Sequence, residues 1–334
     1  VSKHLNWVDY AKGLGIIFVV YGHISEGIFN AGMTINNNLY TAIDTMIYSF
    51  HMPLFFFLSG LFFTSSFQKR GFKNTIINKV DTIFYPFVIW SILQGIIEAT
   101  LSKYTNGHVT YTQVFSLLWE PRAQFWFLYV LFFTFIIASV LFLKTRSTKL
   151  MILVAGFFSI VYIFQSHLPQ IHILTLGYAH IVFFFIGVLV IQLDCINKIN
   201  NIKAFIAILA LFIISEYWFA VIEGFGRLDR GFYSFIIASI GITFIVTLSM
   251  QLAKLNLRFL AYIGKSSLYI YLLHVLIGSG VRIILQKVFH VESATIQIII
   301  GCIAAIGLSL IFVELTKKFN LSFLFKAPWT NARK

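Results

Sequence analysis

Apolar residues fall in blocks separated by short polar stretches, and ten of these blocks are long enough to cross a hydrocarbon layer of ~30 Å as helices. They lie at about 14–29, 40–63, 80–99, 125–143, 151–166, 173–192, 204–222, 231–252, 259–280 and 294–316. The pattern predicts an all-α fold, a polytopic membrane helical bundle of about ten transmembrane helices in one integral-membrane domain over 1–334. Phe-rich stretches such as Phe55–Phe57 and Phe183–Phe185 read as lipid-facing or packing residues.

Composition agrees with the pattern. The chain is 59% hydrophobic and 11% charged, where soluble domains carry roughly 25% charged residues, so a soluble fold is excluded. No polar stretch leaves room for an appended domain of ~100 residues. The first apolar run continues into a full span without a small-residue cleavage site, which argues against a cleaved secretory signal. Cys195 and Cys302 fall in or beside spans and far apart, so packing is expected of them, with neither a disulfide nor a metal.

Charge then orients the bundle. With a cytoplasmic N-terminus, nineteen of the 25 Lys and Arg fall on the inner side, against Lys103, Arg122, Arg227, Arg230, Arg282 and Lys287 outside. Positively charged inner loops are the rule for multi-pass proteins, so both termini are expected in the cytoplasm. The net charge of +13 reports this topology and contact with anionic lipid head groups, and its spread over many short loops is unlike the basic stripe of a nucleic-acid binder. The longest outer connection, about Thr100 to Gln124, is polar and leads into Phe125-Trp126-Phe127. It reads as a lid or acceptor-binding element, or as a passive loop with an interfacial aromatic anchor.

An ionisable side chain within a membrane helix costs ~2.5–3.5 kcal/mol on insertion scales and is read as functional by default. The first span carries Asp9, Lys12, His23 and Glu26. Eleven residues make about three helical turns, so Lys12 and His23 share one face about 16 Å apart, with Asp9 and Glu26 extending the stripe. Lys12 reads either as a binding cation or as an interfacial anchor. The second span holds Asp44 and His51 on one face, followed by Pro53, and the ninth holds His274. Counting residues from the boundaries brings all three histidines to one level if the helices are neighbours. Inner loop one, Gln68 to Lys73, contributes Lys69, Arg70 and Lys73, and Lys79 follows before the third span. With Lys12 these cations suit the phosphates of a nucleotide-like donor. No Gly-rich phosphate loop, His-Glu-x-x-His or Gly-x-Ser-x-Gly is present, so metal and serine-hydrolase chemistry are not expected.

These residues resemble a known family. Trp7 to Gly15 leading to Val19-Val20-Tyr21-Gly22-His23 is similar to the opening of membrane acyltransferase family 3, and most similar to its fucose 4-O-acetylase branch. The likeness continues in order through Ser49–Gly60, Phe125–Leu128, Phe183–Gly187 and Ile263–His274. The resemblance implies a bacterial cytoplasmic membrane protein that takes acetyl-CoA from the cytoplasm and acylates a hydroxyl of a cell-surface polysaccharide or lipid-linked sugar. Many members carry Arg where this chain has Lys12, which keeps a point charge but not a bidentate fork.

The expectation is direct transfer, with His23 as general base, Glu26 orienting its ring, and Lys12, Arg70, Lys73 and Lys79 holding the CoA phosphates. Asp44, His51, Trp126 and His274 are candidates for binding the sugar, and His51 or His274 for donating to the developing oxyanion. An acetyl-histidine intermediate at His23 is the other route, which the sequence does not separate from direct transfer. Rival readings are transfer of succinyl or another acyl group, or a sugar or lipid transporter, which would typically show two similar halves. Self-association of the chain stays open.

Overall fold

Each apolar block is helical over most of its length in the computed structural model, which describes residues 5–33, 35–102, 109–144 and 147–329. The helices are α1 (Trp7–Asn30), α2 (Asn37–Leu61), α3 (Phe63–Lys79), α4 (Tyr85–Thr100), α5 (Tyr111–Phe115), α6 (Trp126–Lys144) and α7 (Thr148–Ile163). They continue with α8 (His172–Tyr178), α9 (Ile181–Gln192), α10 (Ile202–Tyr217), α11 (Phe232–Lys254), α12 (Arg258–Lys265), α13 (Ser267–Lys287) and α14 (Ala294–Lys318). Among the described residues nine helical stretches are long and apolar enough to cross a membrane, and the chain is a multi-pass helical membrane protein.

Four expectations are corrected. The block predicted at 151–166 forms the 16-residue α7, about 24 Å long and short of a full hydrocarbon layer. The block at 259–280 is broken after Lys265, and the long helix runs instead from Ser267 to Lys287. That shift takes Arg282 out of the outer connection and puts it inside α13. Inner loop one is helical as well: Gln68 to Lys73 lies within α3, kinked where Gly71 adopts φ 70°. Glycine tolerates that left-handed backbone because it has no Cβ. Of the cations used to orient the bundle, Lys3, Lys103, Arg146, Arg333 and Lys334 lie outside the described residues, as do 103–108 of the long connection.

Many helical side-chain hydroxyls are satisfied by their own helix, as a bilayer favours. Hydroxyls bond back to the carbonyl four residues earlier, as in Ser59 to Phe55 (2.8 Å), Thr134 to Val130 (2.8 Å) and Ser309 to Ala305 (2.6 Å). Outward faces are apolar: Leu153, Phe157 and Ile160 on α7 and Ile206, Ile213 and Ile214 on α10 are all exposed, as lipid-facing side chains are.

The chain divides into two compact units. The first comprises Val1–Gly15, Asn38–Lys79 and Val130–Gly264. Gly60 of α2 lies against the backbone of Phe184, and Gly187 of α9 against that of Phe57, so neither has space for a Cβ. Around this contact Phe183, Phe184 and Phe185 are fully buried, with Phe63 packing on Phe142 (4.9 Å) and Phe184 (5.5 Å). These phenylalanines are packing residues.

The second unit comprises Ile16–Asn37, Val80–Tyr129 and Lys265–Lys334. A π-helical turn, Val80–Phe84, leads into α4, and Pro86, which has no N–H to give to the preceding turn, stands just after it. The chain after α14 folds onto this start. Trp90 donates to the carbonyl of Leu324 (2.7 Å), Phe325 stacks on Trp90 (5.5 Å), and Trp329 donates to Asp81 (2.6 Å). Ile24 of α1 fits against Gly278 of α13 and Gly301 of α14, where a Cβ would come within 2.8 Å and 3.0 Å of it. Small residues there let three helix backbones approach closely.

Candidate functional site

The second unit holds two of the three predicted histidines together. The ring centroids of His23 and His274 are 5.2 Å apart and tilted by 49°. One helical turn beyond His23, Glu26 places Oε2 3.7 Å from its Nδ1, and both side chains are 26% exposed. His274 is fully buried. Its Nδ1 lies 2.8 Å from the carbonyl of Tyr271 and 3.1 Å from that of Ile270. Carbonyl oxygens only accept, so Nδ1 carries the proton and the neutral ring presents Nε2 as an acceptor. Nε2 has no hydrogen-bond partner among the described residues. In this tautomer the neutral ring offers Nε2 as an acceptor.

Both rings line a small cavity of about 30 Å³ with Gly278, Arg282, Gln297 and Gly301. That is space for about one water molecule or one carbonyl group. A larger cavity of about 440 Å³ shares Gly27, Val275, Ser279 and Arg282 with it and adds Glu98, Arg122 and Ala123. Glu98 is held by Arg122 (2.8 Å) and Gln94 (2.7 Å). Gln94 and Gln124, both buried, exchange amide hydrogen bonds of 2.8 Å and 3.4 Å. The hydroxyl of Tyr271 donates to the carbonyl of Gln124, while its ring packs edge-on to Phe127 (5.5 Å). A buried polar network thus ties α4 and the turn before α6 to the helix that carries His274. The described part of the long connection is ordered by its own chemistry, a capping box between Thr110 and Gln113 that opens α5. Trp126 is half-buried and lines neither of these two cavities.

The other candidates lie in the first unit. Lys12 has its ammonium 6.0 Å from the ring centre of Phe62, and Lys79 sits 3.8 Å over Phe135. Arg70 donates to Ser66 (2.8 Å) and Asn78 (3.2 Å). Lys12 and Arg70 are both near enough to Lys79 to repel it, and Asp9 attracts Lys12, so the cluster carries a net positive charge. Lys73 is exposed on α3 and makes none of these contacts. On α2, Asp44 pairs with Arg227 (3.5 Å), whose guanidinium lies over Tyr48 (4.9 Å), and Tyr48 meets His51 edge-on (4.7 Å). The Nδ1 of His51 faces the carbonyl of Ile47 at 2.7 Å. Asp44 and His51 therefore share one face, as their spacing predicts, in the unit that does not contain His23.

Sequence reasoning passed over Glu98, Gln94, Gln124, Arg282 and Gln297. Two signals were available: Gln94 and Glu98 stand four residues apart inside an apolar run, and Arg282 stands eight residues beyond His274. It also passed over Glu216, a buried acid in the α10 run that accepts from Ser49 at 2.7 Å, and His180, stacked on Phe56 at 5.4 Å.

Comparison with known proteins gives a consistent picture. The profile of a family described as an acyltransferase domain matches residues 5–314. Nodulation protein NolL of Mesorhizobium japonicum is 26% identical over 133 residues, which cover 40% of this chain and 35% of that protein. NolL of Sinorhizobium fredii is 24% identical over 131 residues, again 35% of its length. The matched stretch thus spans about a third of these curated relatives. No solved structure matches the chain significantly.

Proposed function

Because the chain belongs to this acyltransferase-domain family, we propose that it moves an acetyl group from acetyl-CoA to a hydroxyl of a cell-surface sugar, polysaccharide or lipid-linked, across a bacterial cytoplasmic membrane. The observation that carries the reading is the placement of His23, backed by Glu26 and facing His274, on the wall of a cavity.

In the reaction, Nε2 of His23 takes the proton of the acceptor hydroxyl as that oxygen bonds to the thioester carbonyl carbon. The tetrahedral oxyanion collapses, the C–S bond breaks, and the CoA thiolate leaves and takes up the proton held by His23. Glu26 stabilises the imidazolium formed in between. His274 offers a fixed acceptor that orients a hydroxyl of the sugar. The donor phosphates fall to Lys12, Arg70 and Lys79, cations of the first unit whose charge a polyphosphate would offset. Lys12 and His23 both lie on α1, eleven residues and about 16 Å apart along its axis.

The test is labelled acetyl-CoA supplied to purified protein in lipid vesicles with surface glycan as acceptor. Label in the glycan, lost in His23→Ala, is expected. No transfer from acetyl-CoA, or a preference for succinyl-CoA, would overturn the acyl assignment. Orientation is tested by cysteine labelling at Asn106, a position outside the described residues, where reaction only from the cytoplasmic side would reverse the topology.

A further inference from the structure

Arg282 stands on α13 two turns beyond His274 and is 9% exposed. Its position lines both cavities of the second unit. Among the described residues its guanidinium forms no hydrogen bond, ion pair or ring contact. An arginine this enclosed is normally matched by a carboxylate, and since its unpaired nitrogens are not sealed from solvent they open onto the cavity. Among the described residues the one carboxylate on the wall of the larger cavity, Glu98, is already held by Arg122 and Gln94. The nearby amide of Gln297 donates to the carbonyl of Val291 (2.6 Å) and leaves its own Oε1 without a partner. Arg122 and Glu98 cancel, so the described residues of the cavity wall carry one uncompensated positive charge, on Arg282.

An arginine near a helix end could otherwise reach water by extending its side chain. Arg282 has five residues of α13 still ahead of it and turns its burial toward the cavity. The larger space, about 440 Å³, accommodates a sugar ring with a substituent, and it shares Ser279 and Gly27 with the cavity walled by His23 and His274.

We infer that the acceptor carries an oxyanion, a carboxylate on the sugar or a phosphate attached to it, which Arg282 holds by a planar two-bond contact while a neighbouring hydroxyl lies toward the histidines. Calling the ligand an acceptor rests on the acyl-transfer reading above; anion binding at Arg282 does not. An acid-bearing acceptor would be drawn to this cavity and a neutral sugar of the same shape would not, so the residue sets which hydroxyl-bearing sugars are modified.

The experiment is a binding titration without donor. Purified full-length protein in detergent at constant ionic strength is titrated with methyl glucuronide, glucose 1-phosphate and neutral methyl glucoside, reading thermal stabilisation and Kd. At least one acid should bind about tenfold more tightly than the glucoside, and Arg282→Gln should remove that preference. Preference for the glucuronide alone assigns a carboxylate, and for the phosphate alone a phosphoryl group. Gly280→Leu, placed on the wall of the larger cavity where an added Cβ meets nothing within 4 Å, should weaken the acids with the charge intact. Three results would overturn the inference. One is equal binding of acids and glucoside to the wild type. Another is acid preference unchanged in Arg282→Gln, or acid binding undiminished in Gly280→Leu. The last is unchanged binding in Arg282→Gln with turnover of acidic and neutral sugars falling alike, which would place Arg282 in the chemistry instead. Anion binding at Arg282 in a protein that does not consume acetyl-CoA would defeat the acyl-transfer reading and leave this one standing.

Discussion

His23 of α1 and His274 of α13 face each other with ring centroids 5.2 Å apart, one ring a quarter exposed and the other fully buried. Their surroundings differ in what they allow. Two backbone carbonyls fix the tautomer of His274, whereas His23 has a carboxylate within 3.7 Å that can follow a change in its charge. A base must gain and lose a proton each turnover, and the ring with the carboxylate is the one equipped for it.

His23→Ala should therefore lower kcat by about a hundredfold or more with the protein still folded, within the range general-base catalysis supplies. Glu26→Gln should lower it less, because it supports the ring without carrying the proton. His274→Gln should act mainly on acceptor KM. The check is steady-state transfer by purified variants that elute as the wild type does on size exclusion. If His274→Gln abolished turnover and His23→Ala kept more than about a tenth of it, the two roles would have to be exchanged.

The Glu98–Arg122 pair gives a stability prediction. Both side chains are about four-fifths buried and meet at 2.8 Å. Arg122→Ala leaves Glu98 with only Gln94, and a half-satisfied buried carboxylate costs about 1–3 kcal/mol. Adding Glu98→Gln should recover part of the loss, giving a coupling of about 1 kcal/mol in a double-mutant cycle read by thermal unfolding in detergent. Additive losses would show that the pair is not coupled.

Close helix packing in the first unit depends on Gly60 and Gly187, each set against the backbone of the opposing helix. Backbone cannot rotate aside as a flexible side chain can. Gly60→Ala and Gly187→Ala should each lower stability by about 1–3 kcal/mol, the range for overpacking. Gly156→Ala, where a Cβ meets nothing within 4 Å, should leave the melting temperature unchanged and serves as the control.

The helices were legible because a membrane span has a simple signature, an apolar run of sufficient length, and that signature survives without knowledge of neighbours. The misjudged boundaries have local causes. The hydrophobic run of 259–280 continues through Lys265 and Ser266, where the backbone breaks, and the polar Gln68 to Lys73 segment looks like a loop although it winds as helix around Gly71. His23, Glu26 and Lys12 were legible because charges inside a span stand out. The meeting of His23 with His274 depends on which helices are neighbours, as does the lack of a carboxylate partner for Arg282 among the described residues, and no spacing along the chain reports either. Counting depth put His51 level with both, but depth does not say which helices are adjacent.

Lys12 gives the sharpest separation of donor binding from chemistry. It lies three turns from His23 on α1, too far for both to touch one carbonyl, and it belongs to a cluster in which Lys79 is repelled by Lys12 and Arg70. Like charges held together are relieved by a bound polyanion, so a donor with several phosphates should profit from all three. Lys12→Ala should raise the apparent KM for acetyl-CoA more than it lowers kcat, as loss of an interaction present equally in ground and transition states does. Lys12→Arg should be tolerated, since it keeps the charge and supplies a two-pronged contact. An interfacial anchor would behave differently: Lys12→Gln would leave donor KM unchanged while affecting insertion or yield. Donor KM measured in Lys12→Ala and Lys12→Gln decides between the two. Unchanged values in both, at normal expression, would remove Lys12 from the donor site and leave Arg70 and Lys79 to hold the phosphates.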